Sequence, residues 1–375
     1  MTPQQAHTAT PATFHSKLAL AKWRPAGFDY MRLLLSIAVL SWHTVLMTEG
    51  LDAQTEEIAH SPWRGFAIII LPMFFALSGF LVAGSLDRTK NISDFVCLRI
   101  LRILPALCFV VVLSAAVMGP LVTSYSLKDY VADPLFARYF LTIIGDVQDM
   151  LPGVFEHNPF PRMVNGQLWT IPVELECYVI LFISAVFGIY RRPKLFLGFV
   201  LAVQLAFALR AIMLPVIHQG VPARVLMVCF LVGTIMNVYR ERIPFRLDLA
   251  CLCAALAFGL IYIPGGAYFL AFPAAYITIY LGLHNPKKIW LVSSGDYSYG
   301  IYLFAFPIQQ LVASTGPWAH VWYMNLIISL PLSILMAIVS WRLIEKPALS
   351  YHHHIPKVHS GLCALRSKVK HTFNA

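Results

Sequence analysis

Long runs of apolar residues, separated by short polar segments, are the dominant pattern along the chain. Ten of these runs are about 20 residues long, the length that an α-helix needs to cross the hydrocarbon core of a bilayer. The predicted membrane-spanning helices cover residues 28–48, 64–84, 101–123, 167–189, 195–214, 222–239, 248–264, 266–283, 297–314 and 322–343. The pattern therefore predicts an all-α, polytopic integral membrane protein of about ten transmembrane helices.

The boundary between the seventh and eighth predicted spans is a Pro-Gly-Gly sequence at residues 264–266. Proline and glycine mark tight turns, so the two short apolar runs on either side can form two separate helices. A single helix that is broken at this point is the alternative interpretation.

The positions of lysine and arginine predict the orientation of the chain. Cytoplasmic loops of membrane proteins carry an excess of these residues. With the N-terminus in the cytoplasm, most of the 28 lysines and arginines fall in cytoplasmic segments, whereas the first outer loop, residues 49–62, carries four carboxylates. We therefore predict cytoplasmic N- and C-termini. The predicted parts are a cytoplasmic segment of residues 1–27, one transmembrane domain of residues 28–347 and a basic cytoplasmic tail of residues 348–375.

The composition agrees with a membrane protein and excludes several other classes. Hydrophobic residues make up 58% of the chain and charged residues only 12%, far from the balance of soluble domains. The formal charge of +10 is spread over short loops and both ends, so nucleic acid is not an expected partner. The seven cysteines fit neither a disulfide framework nor a zinc site, and we expect no metal. The first 27 residues show no signal-peptide pattern, so the first helix is expected to stay as an anchor.

The first predicted helix contains two ionisable residues, Arg32 and His43. A spacing of eleven residues brings them to one face of an α-helix, about 16 Å apart along its axis. Such residues within a membrane span usually face a cavity. The alternative is that Arg32 reaches lipid headgroups and His43 bonds a neighbouring helix.

Two further sequence features are each open to a functional and a structural interpretation. The run Phe74 to Phe80 in the second span combines aromatic residues with small ones, which permit close packing of helices. Arg99 and Arg102 lie nearly on one face at the inner end of the third span. The two arginines are suited to hold the phosphates of a nucleotide-bearing donor, although the cytoplasmic bias of positive charge also accounts for them.

The fourth predicted span brings carboxylates into the membrane from the outer side, at Glu174 and Glu176. Glu174 is predicted to reach a depth similar to that of His43. A carboxylate beside an imidazole fixes its tautomer and strengthens it as a base for a hydroxyl group, so we expect the two side chains to meet across a cavity. An isolated structural salt bridge is the alternative. The sequence contains no nucleophile elbow, phosphate-binding loop or metalloprotease motif.

Together, these segments resemble the bacterial acyltransferase 3 family of membrane O-acyltransferases, in order along nearly the whole chain. The matching residues are Phe28 and Asp29 with Arg32 and His43, Phe74 to Phe80, Arg99 with Arg102, Leu168-Trp169-Thr170 with Glu174 and Tyr178, Ser298 to Leu303, and Glu345-Lys346-Pro347. Many members have a histidine between the Tyr-Leu pair and the proline, where this chain has Phe304-Ala305-Phe306, so no role of that histidine is carried over.

The resemblance implies an acetyl-CoA donor, a multi-pass protein of the bacterial cytoplasmic (inner) membrane and a saccharide acceptor such as O-antigen, exopolysaccharide or a lipid-linked glycan. It implies that residues 28–347 form the acyltransferase domain, with polysaccharide assembly proteins of the envelope as further partners. The expected site residues are His43 and Glu174 for catalysis, Arg32, Arg99 and Arg102 for acyl-CoA, and Phe75, Ser78, Trp169 and Tyr178 for the substrate.

Several alternatives to this function stay open from the sequence. Buried ionisable residues also mark the pathways of transporters and flippases, although the two halves show no convincing symmetry. A structural scaffold of a polysaccharide assembly complex, or acylation of an antibiotic, also fits the sequence. Acyl transfer can be direct, with His43 as base, or can pass through an acyl-histidine. The segment 124–166 is expected to cap the outer face and to help shape an acceptor site.

Overall fold

The computed structural model describes residues 12–61, 64–89, 91–213, 221–263 and 266–351. In this part of the chain the regular structure is helical, apart from three isolated backbone bridges. A helix pairs its backbone N–H and C=O groups within itself, which is what a lipid environment demands of a spanning segment. The predicted all-α class is confirmed.

The described residues form sixteen α-helices, joined by short 3-10 and π turns. In chain order, α1 to α16 are Phe14–Leu20, Ala26–His60, Arg64–Arg88, Ile92–Leu113, Gly119–Val122, Leu127–Ala132, Pro134–Tyr139, Thr170–Val186, Pro193–Met213, Ala223–Val238, Leu247–Ile261, Ala271–Gly282, Trp290–Ser293, Ser298–Ala313, Trp322–Ser340 and Lys346–Ser350. The π turns are Ser114–Met118 and Trp341–Glu345, and the 3-10 turns are Phe140–Ile144, Gly166–Trp169, Gly266–Phe269 and Pro317–His320.

Six helical segments of the described chain are long and apolar enough to cross a membrane. They are Ala26–Asp52, Arg64–Arg88, Ile92–Val122, Gly166–Val186, Pro193–Ala211 and Trp322–Ser350. The shorter helices α10, α11, α12 and α14 lie over the other four predicted spans. The coarse architecture is thus a multi-pass helical membrane protein, with a helix over each predicted apolar run.

Some predicted boundaries differ from the structure. The third predicted span begins at residue 101, whereas α4 begins at Ile92, because the charged residues Asp94 and Arg99 interrupt the apolar run over the first turns of the helix. The two apolar runs around residue 264 form two helices, α11 and α12. Pro264 and Gly265 of the predicted turn, and most of the predicted tail 348–375, lie outside the described residues.

The chain divides into two compact units. The first contains the described residues of Met1–Leu35, Gly65–Ala83 and Gly188–Ser293, and the second those of Ser36–Arg64, Gly84–Phe187 and Ser294–Ala375. The parts of α2 up to Leu35 and of α3 up to Ala83 therefore belong to the first unit. Most of the residues predicted to carry chemistry belong to the second.

In the first unit, α3 and α10 approach each other closely. A Cβ atom added at Gly79 would lie 1.9 Å from the carbonyl oxygen of Phe230, and one added at Gly233 would lie 2.0 Å from that of Ala76. The hydroxyl of Thr234 and the amide of Asn237 also donate to backbone carbonyls of α3. The small residues in the second predicted span therefore permit close helix packing.

In the second unit, α14 and α15 pack along a seam of small and polar side chains. Asn325, Ser329, Ser333 and Ala337 recur every four residues along one face of α15 and have no solvent exposure. The amide of Asn325 donates to the main-chain carbonyl of Gln309 on α14 at 3.1 Å. The seam lets the two backbones approach closely and supplies hydrogen bonds between them.

The segment between α5 and α8 is anchored to the π turn that follows α4. A π turn leaves carbonyl groups without the usual intrahelical donor. The buried hydroxyl of Tyr130 donates to one of them, the carbonyl of Ala115, at 2.8 Å. Burial raises the pKa of the Tyr130 phenol to about 12, so this donor keeps its proton at neutral pH. The amide of Asn165 donates to the hydroxyls of Ser114 and Tyr139.

Candidate functional site

His43 lies on α2 in the second unit and is partly buried. Its ring packs edge-on against Phe306 of α14, with 5.5 Å between the ring centroids and an interplanar angle of 76°. Phe306 is 2% exposed and belongs to an apolar cluster with Leu46 and Met47. The imidazole is therefore held by aromatic packing, and the residue as a whole is partly buried.

Glu174 lies in the second turn of α8 and is partly buried. It accepts a short hydrogen bond from the hydroxyl of Tyr178, one turn further along the helix. Glu176, two residues on, is exposed. The two carboxylates of this span thus have different surroundings, and Glu174 is the one that bonds a tyrosine hydroxyl.

The predicted meeting of His43 and Glu174 stays a prediction. Among the contacts of the described residues, His43 packs on Phe306 and Glu174 bonds Tyr178. A direct hydrogen bond between the imidazole and the carboxylate is not one of them. His43 contacts α14 through Phe306, whereas the bond of Glu174 to Tyr178 lies within α8.

Arg102 of α4 is paired with two carboxylates. Its guanidinium lies 2.7 Å from Asp296 and 3.5 Å from Glu345, and the Glu345 side chain is only 2% exposed. Ser298 donates to Asp296 and Ser340 donates to Glu345, so both acids have a second partner. The aromatic rings of Tyr299 and Trp341 also lie against the guanidinium. This ion triad joins α4 to the start of α14 and to the π turn after α15.

The ion triad changes the interpretation of the predicted arginine pair. A cation between two carboxylates has most of its charge balanced within the protein. Sequence reasoning missed Asp296, and it used Glu345 only as part of a family motif. The available signal was that Glu345 is the one carboxylate in the long apolar run from residue 322 to 350, and such residues are rarely without function or partner.

Arg99 differs from Arg102 in its surroundings. It donates to the hydroxyl of Ser85 at a long 3.4 Å, and its guanidinium lies 5.8 Å from the ring centroid of Phe95. Its Nε atom is buried without a hydrogen-bond partner. In the part of the chain that the structure describes, no carboxylate pairs with it. Arg99 therefore retains a charge and a donor that an anionic ligand can satisfy.

The remaining predicted residues fall into both units. Arg32, Phe75 and Ser78 belong to the first unit, where Arg32 and Ser78 are partly buried and Phe75 is buried. Tyr178 and Trp169 belong to the second unit, where Trp169 ends a 3-10 turn and is 40% exposed. Exposed tryptophan is frequent where a helix meets the membrane interface.

A buried hydrogen-bond network fixes the start of α8, and sequence reasoning did not identify it. The hydroxyl of Tyr302 donates to the carbonyl of Gln167 at 2.9 Å and lies 2.6 Å from the hydroxyl of Thr170. The side-chain amide of Gln167 donates to the carbonyl of Leu303 at 2.8 Å. Through these bonds, α14 sets the position of the start of α8, one turn before Glu174.

Comparison with known proteins gives a family match over most of the chain. A family model described as "Acyltransferase domain", that of acyltransferase 3, matches residues 26–345. The chain is 27% identical over 341 residues to the "O-acetyl transferase" of Shigella phage Sf6, covering 86% of this chain and 96% of the relative. It is 26% identical over 373 residues to "Nodulation protein 10" of Rhizobium leguminosarum bv. viciae, covering 92% and 96%. No solved structure matches the chain significantly.

Proposed function

The chain belongs to the acyltransferase 3 family, and from this premise we propose that it is an acetyl-CoA-dependent O-acetyltransferase of the bacterial inner membrane. The acetyl group passes from cytoplasmic acetyl-CoA to a hydroxyl of a cell-surface polysaccharide or of its lipid-linked precursor. The name of the phage relative supports an oxygen acceptor and an acetyl donor group. The saccharide acceptor rests on the resemblance of the sequence motifs.

The proposed topology has ten membrane-spanning helices with both termini in the cytoplasm. It adds α10, α11, α12 and α14 to the six longer candidate spans. Shorter helices can span where the surrounding protein buries them, and α10 is buried on nearly all sides. In this topology Arg99 lies toward the cytoplasm and His43 lies in the outer half of its span.

The observation that carries the proposal is the environment of His43. The imidazole sits on a candidate membrane span, partly buried, next to the extramembrane segment through Phe306 and Phe160. A general base for an acceptor that arrives from the outer side must be reached by the acceptor hydroxyl and must be held in place by its neighbours. Arg99, with its unsatisfied buried Nε, supplies the expected contact to the donor phosphates.

The proposed reaction is direct transfer. His43 accepts the proton of the acceptor hydroxyl while the hydroxyl oxygen attacks the thioester carbonyl carbon. The carbon–sulfur bond then breaks. The products are the acetyl ester and CoA, whose sulfur receives the proton. The carboxylate of Glu174, which accepts a hydrogen bond from the hydroxyl of Tyr178, is proposed to favour the positive charge that develops on the imidazole, and Tyr178 is proposed to contribute to substrate binding. In this scheme Arg99 holds the CoA phosphates, and the ion triad fixes Arg102 on the same helix. The acyl-CoA role predicted for Arg32 stays a prediction. Phe75, Ser78 and Trp169 contribute to substrate binding.

Replacing Glu174 with glutamine tests the catalytic role proposed for this carboxylate. We expect kcat for acetyl transfer to fall about 10²- to 10³-fold, because the charge is lost while the volume and a hydrogen-bond partner for Tyr178 remain. The assay measures transfer from acetyl-CoA, labelled in the acetyl group, to base-treated surface polysaccharide. The matched control is Glu176→Gln on the exposed face of the same helix, with unchanged activity expected. Equal losses in both variants would contradict the role proposed for Glu174.

A further inference from the structure

Residues 155–164, called the cap from here on, form a closed loop in the segment before α8. Phe155 and Arg162 adopt left-handed backbone φ angles of 56° and 64°. The N–H groups of Arg162 and Asn158 both donate to the carbonyl of Phe155, at 3.1 and 3.3 Å. Left-handed backbone at residues other than glycine is held only where surrounding contacts determine it, and such residues cluster at functional sites.

Gln310 of α14 fixes the cap through its whole side-chain amide. Its Nε2 donates to the carbonyls of Phe160 and Met163 at 2.7 and 2.8 Å. Its Oε1 and its main-chain carbonyl accept from the amide of Asn158 at 2.7 and 2.8 Å. Gln310 has no solvent exposure. Since two carbonyls and one amide donor surround the side chain, only one orientation of the glutamine amide satisfies its three bonds.

The neighbouring residue, Gln309, fixes the part of α2 that carries His43. Its Nε2 donates to the carbonyl of Leu40 at 3.0 Å and to the hydroxyl of Thr44 at 2.9 Å. Gln309 is also fully buried. Two consecutive glutamines of α14 therefore hold the two structures on either side of Phe306, which are the turn around His43 and the cap.

Aromatic rings connect the cap to His43 through Phe306. The ring of Phe160 in the cap packs on Phe306 with centroids 6.3 Å apart, and Phe306 packs edge-on against His43 at 5.5 Å. Met163 packs on the same cluster. The cap also touches α2 where that helix breaks, because a Cβ atom at Gly50, whose φ is 87°, would lie 3.0 Å from the carbonyl oxygen of Pro159.

We propose that Gln310 is a positioning residue that holds the cap closed beside His43, so that an acceptor hydroxyl reaches the acyl group in preference to water. This inference rests on the proposed function. Transfer forms an ester bond to the acceptor oxygen and breaks the carbon–sulfur bond, with the proton going to the sulfur of CoA. Attack by water breaks the same bond and gives acetate and CoA instead. The ratio of the two outcomes measures how well the cap excludes water.

The test uses the full-length protein in proteoliposomes with acetyl-CoA labelled in the acetyl group and a polysaccharide freed of esters by base. Gln310→Leu removes three side-chain bonds to the cap at similar volume. We expect the KM for the polysaccharide to rise about tenfold, as for one or two lost buried hydrogen bonds. CoA release is expected to exceed acetyl incorporation several-fold, and the KM for acetyl-CoA to stay unchanged.

Three further variants separate an effect on the position of the cap from a general loss of the folded structure. Asn158→Ala loosens the cap from its own side, so we expect a smaller shift in the same ratio. The two effects should add less than fully in the double variant, because both substitutions remove the bond between the two side chains, and only the bond to the main-chain carbonyl of Gln310 is lost in addition to those lost in Gln310→Leu. Should Gln310→Leu fail to fold, Asn158→Ala carries the test alone. The matched control is Gln148→Leu, since Gln148 bonds Asp146 at an exposed position of the same segment. This control should keep the wild-type ratio.

The possible results distinguish the inference from the proposed function. CoA release and acetyl incorporation that fall together in Gln310→Leu and Asn158→Ala, with an unchanged KM for the polysaccharide, would overturn the role of Gln310. Wild-type protein that incorporates no acetyl group into any polysaccharide offered would instead count against the proposed function, whatever the variants do.

Discussion

Replacing His43 with alanine is expected to lower acetyl transfer by about 10²- to 10⁴-fold, the contribution typical of a general base. The fold should survive, because the edge-on contact with Phe306 that is lost contributes only about 0.5–1.5 kcal/mol beyond its buried area. Binding of acetyl-CoA should be retained, since the phosphates are proposed to bind at the arginines. Initial rates of acetyl incorporation and equilibrium binding of acetyl-CoA, measured on the same purified variant, check both expectations.

A second histidine variant provides the control for His43→Ala. His320 lies in the turn between α14 and α15, where its Nε2 is 3.0 Å from the carbonyl of Ala313. His320→Ala should keep activity within about twofold, as expected for one partly buried hydrogen bond away from the site. Wild-type rates in His43→Ala would refute its role as base, and equal losses in both variants would point to a general effect of removing imidazole.

Replacing Arg102 with leucine is expected to lower the free energy of unfolding by about 3–5 kcal/mol. The reason is that Asp296 and Glu345, at 2.7 and 3.5 Å from the guanidinium, would be left as two adjacent carboxylates without their cation. Glu345→Gln should cost less, because the pair between Arg102 and Asp296 stays intact. The melting temperature in detergent micelles, followed by tryptophan fluorescence, measures the difference.

Arg99→Leu is the matched comparison for Arg102→Leu on the same helix. No carboxylate of the described chain pairs with Arg99, so its removal should change the melting temperature little. It should instead raise the KM for acetyl-CoA about tenfold, because a charge-assisted contact to phosphate is lost. A large drop in melting temperature for Arg99→Leu, with none for Arg102→Leu, would reverse the roles given to the two arginines.

The helical architecture could be predicted from the sequence because few backbone conformations are stable in lipid. Apolar runs of sufficient length must satisfy their backbone groups internally, and a helix does so without any knowledge of its neighbours. A helix lies over each predicted run for this reason. The start of α4 at Ile92 differs from the predicted start at residue 101, because Asp94 and Arg99 lower the hydropathy of the first turns, and a hydropathy window does not separate such turns from a loop.

The candidate site was predicted less completely, because its contacts join residues far apart in sequence. The spacing of Arg32 and His43 predicts a shared helix face, but nothing local to His43 indicates that Phe306 packs against it. Likewise, the motif around Arg102 predicts a phosphate site, whereas the structure pairs Arg102 with carboxylates about 200 residues or more away in the chain. Both partners become visible only once the helices are packed.

The structure also bears on the alternatives to catalysis. A transporter requires buried ionisable residues along a path, and a scaffold requires only that they pack. The ion triad around Arg102 fits a structural role, whereas His43 makes no ion pair among the described contacts and is only partly buried. A histidine without an ion pair among the described contacts leaves a role in chemistry open at that position.

Acetyl transfer across a sealed membrane is the measurement that tests most directly whether a cytoplasmic donor acetylates an outer hydroxyl at His43. Proteoliposomes carry the protein in one orientation, with labelled acetyl-CoA outside, facing the protein's cytoplasmic side, and the base-treated polysaccharide trapped inside. We expect acetyl ester on the enclosed polysaccharide in wild-type vesicles and none with His43→Ala. Label that reaches the polysaccharide only after the vesicles are broken, or that appears equally with His43→Ala, would contradict transfer from a cytoplasmic donor to an outer hydroxyl at this site.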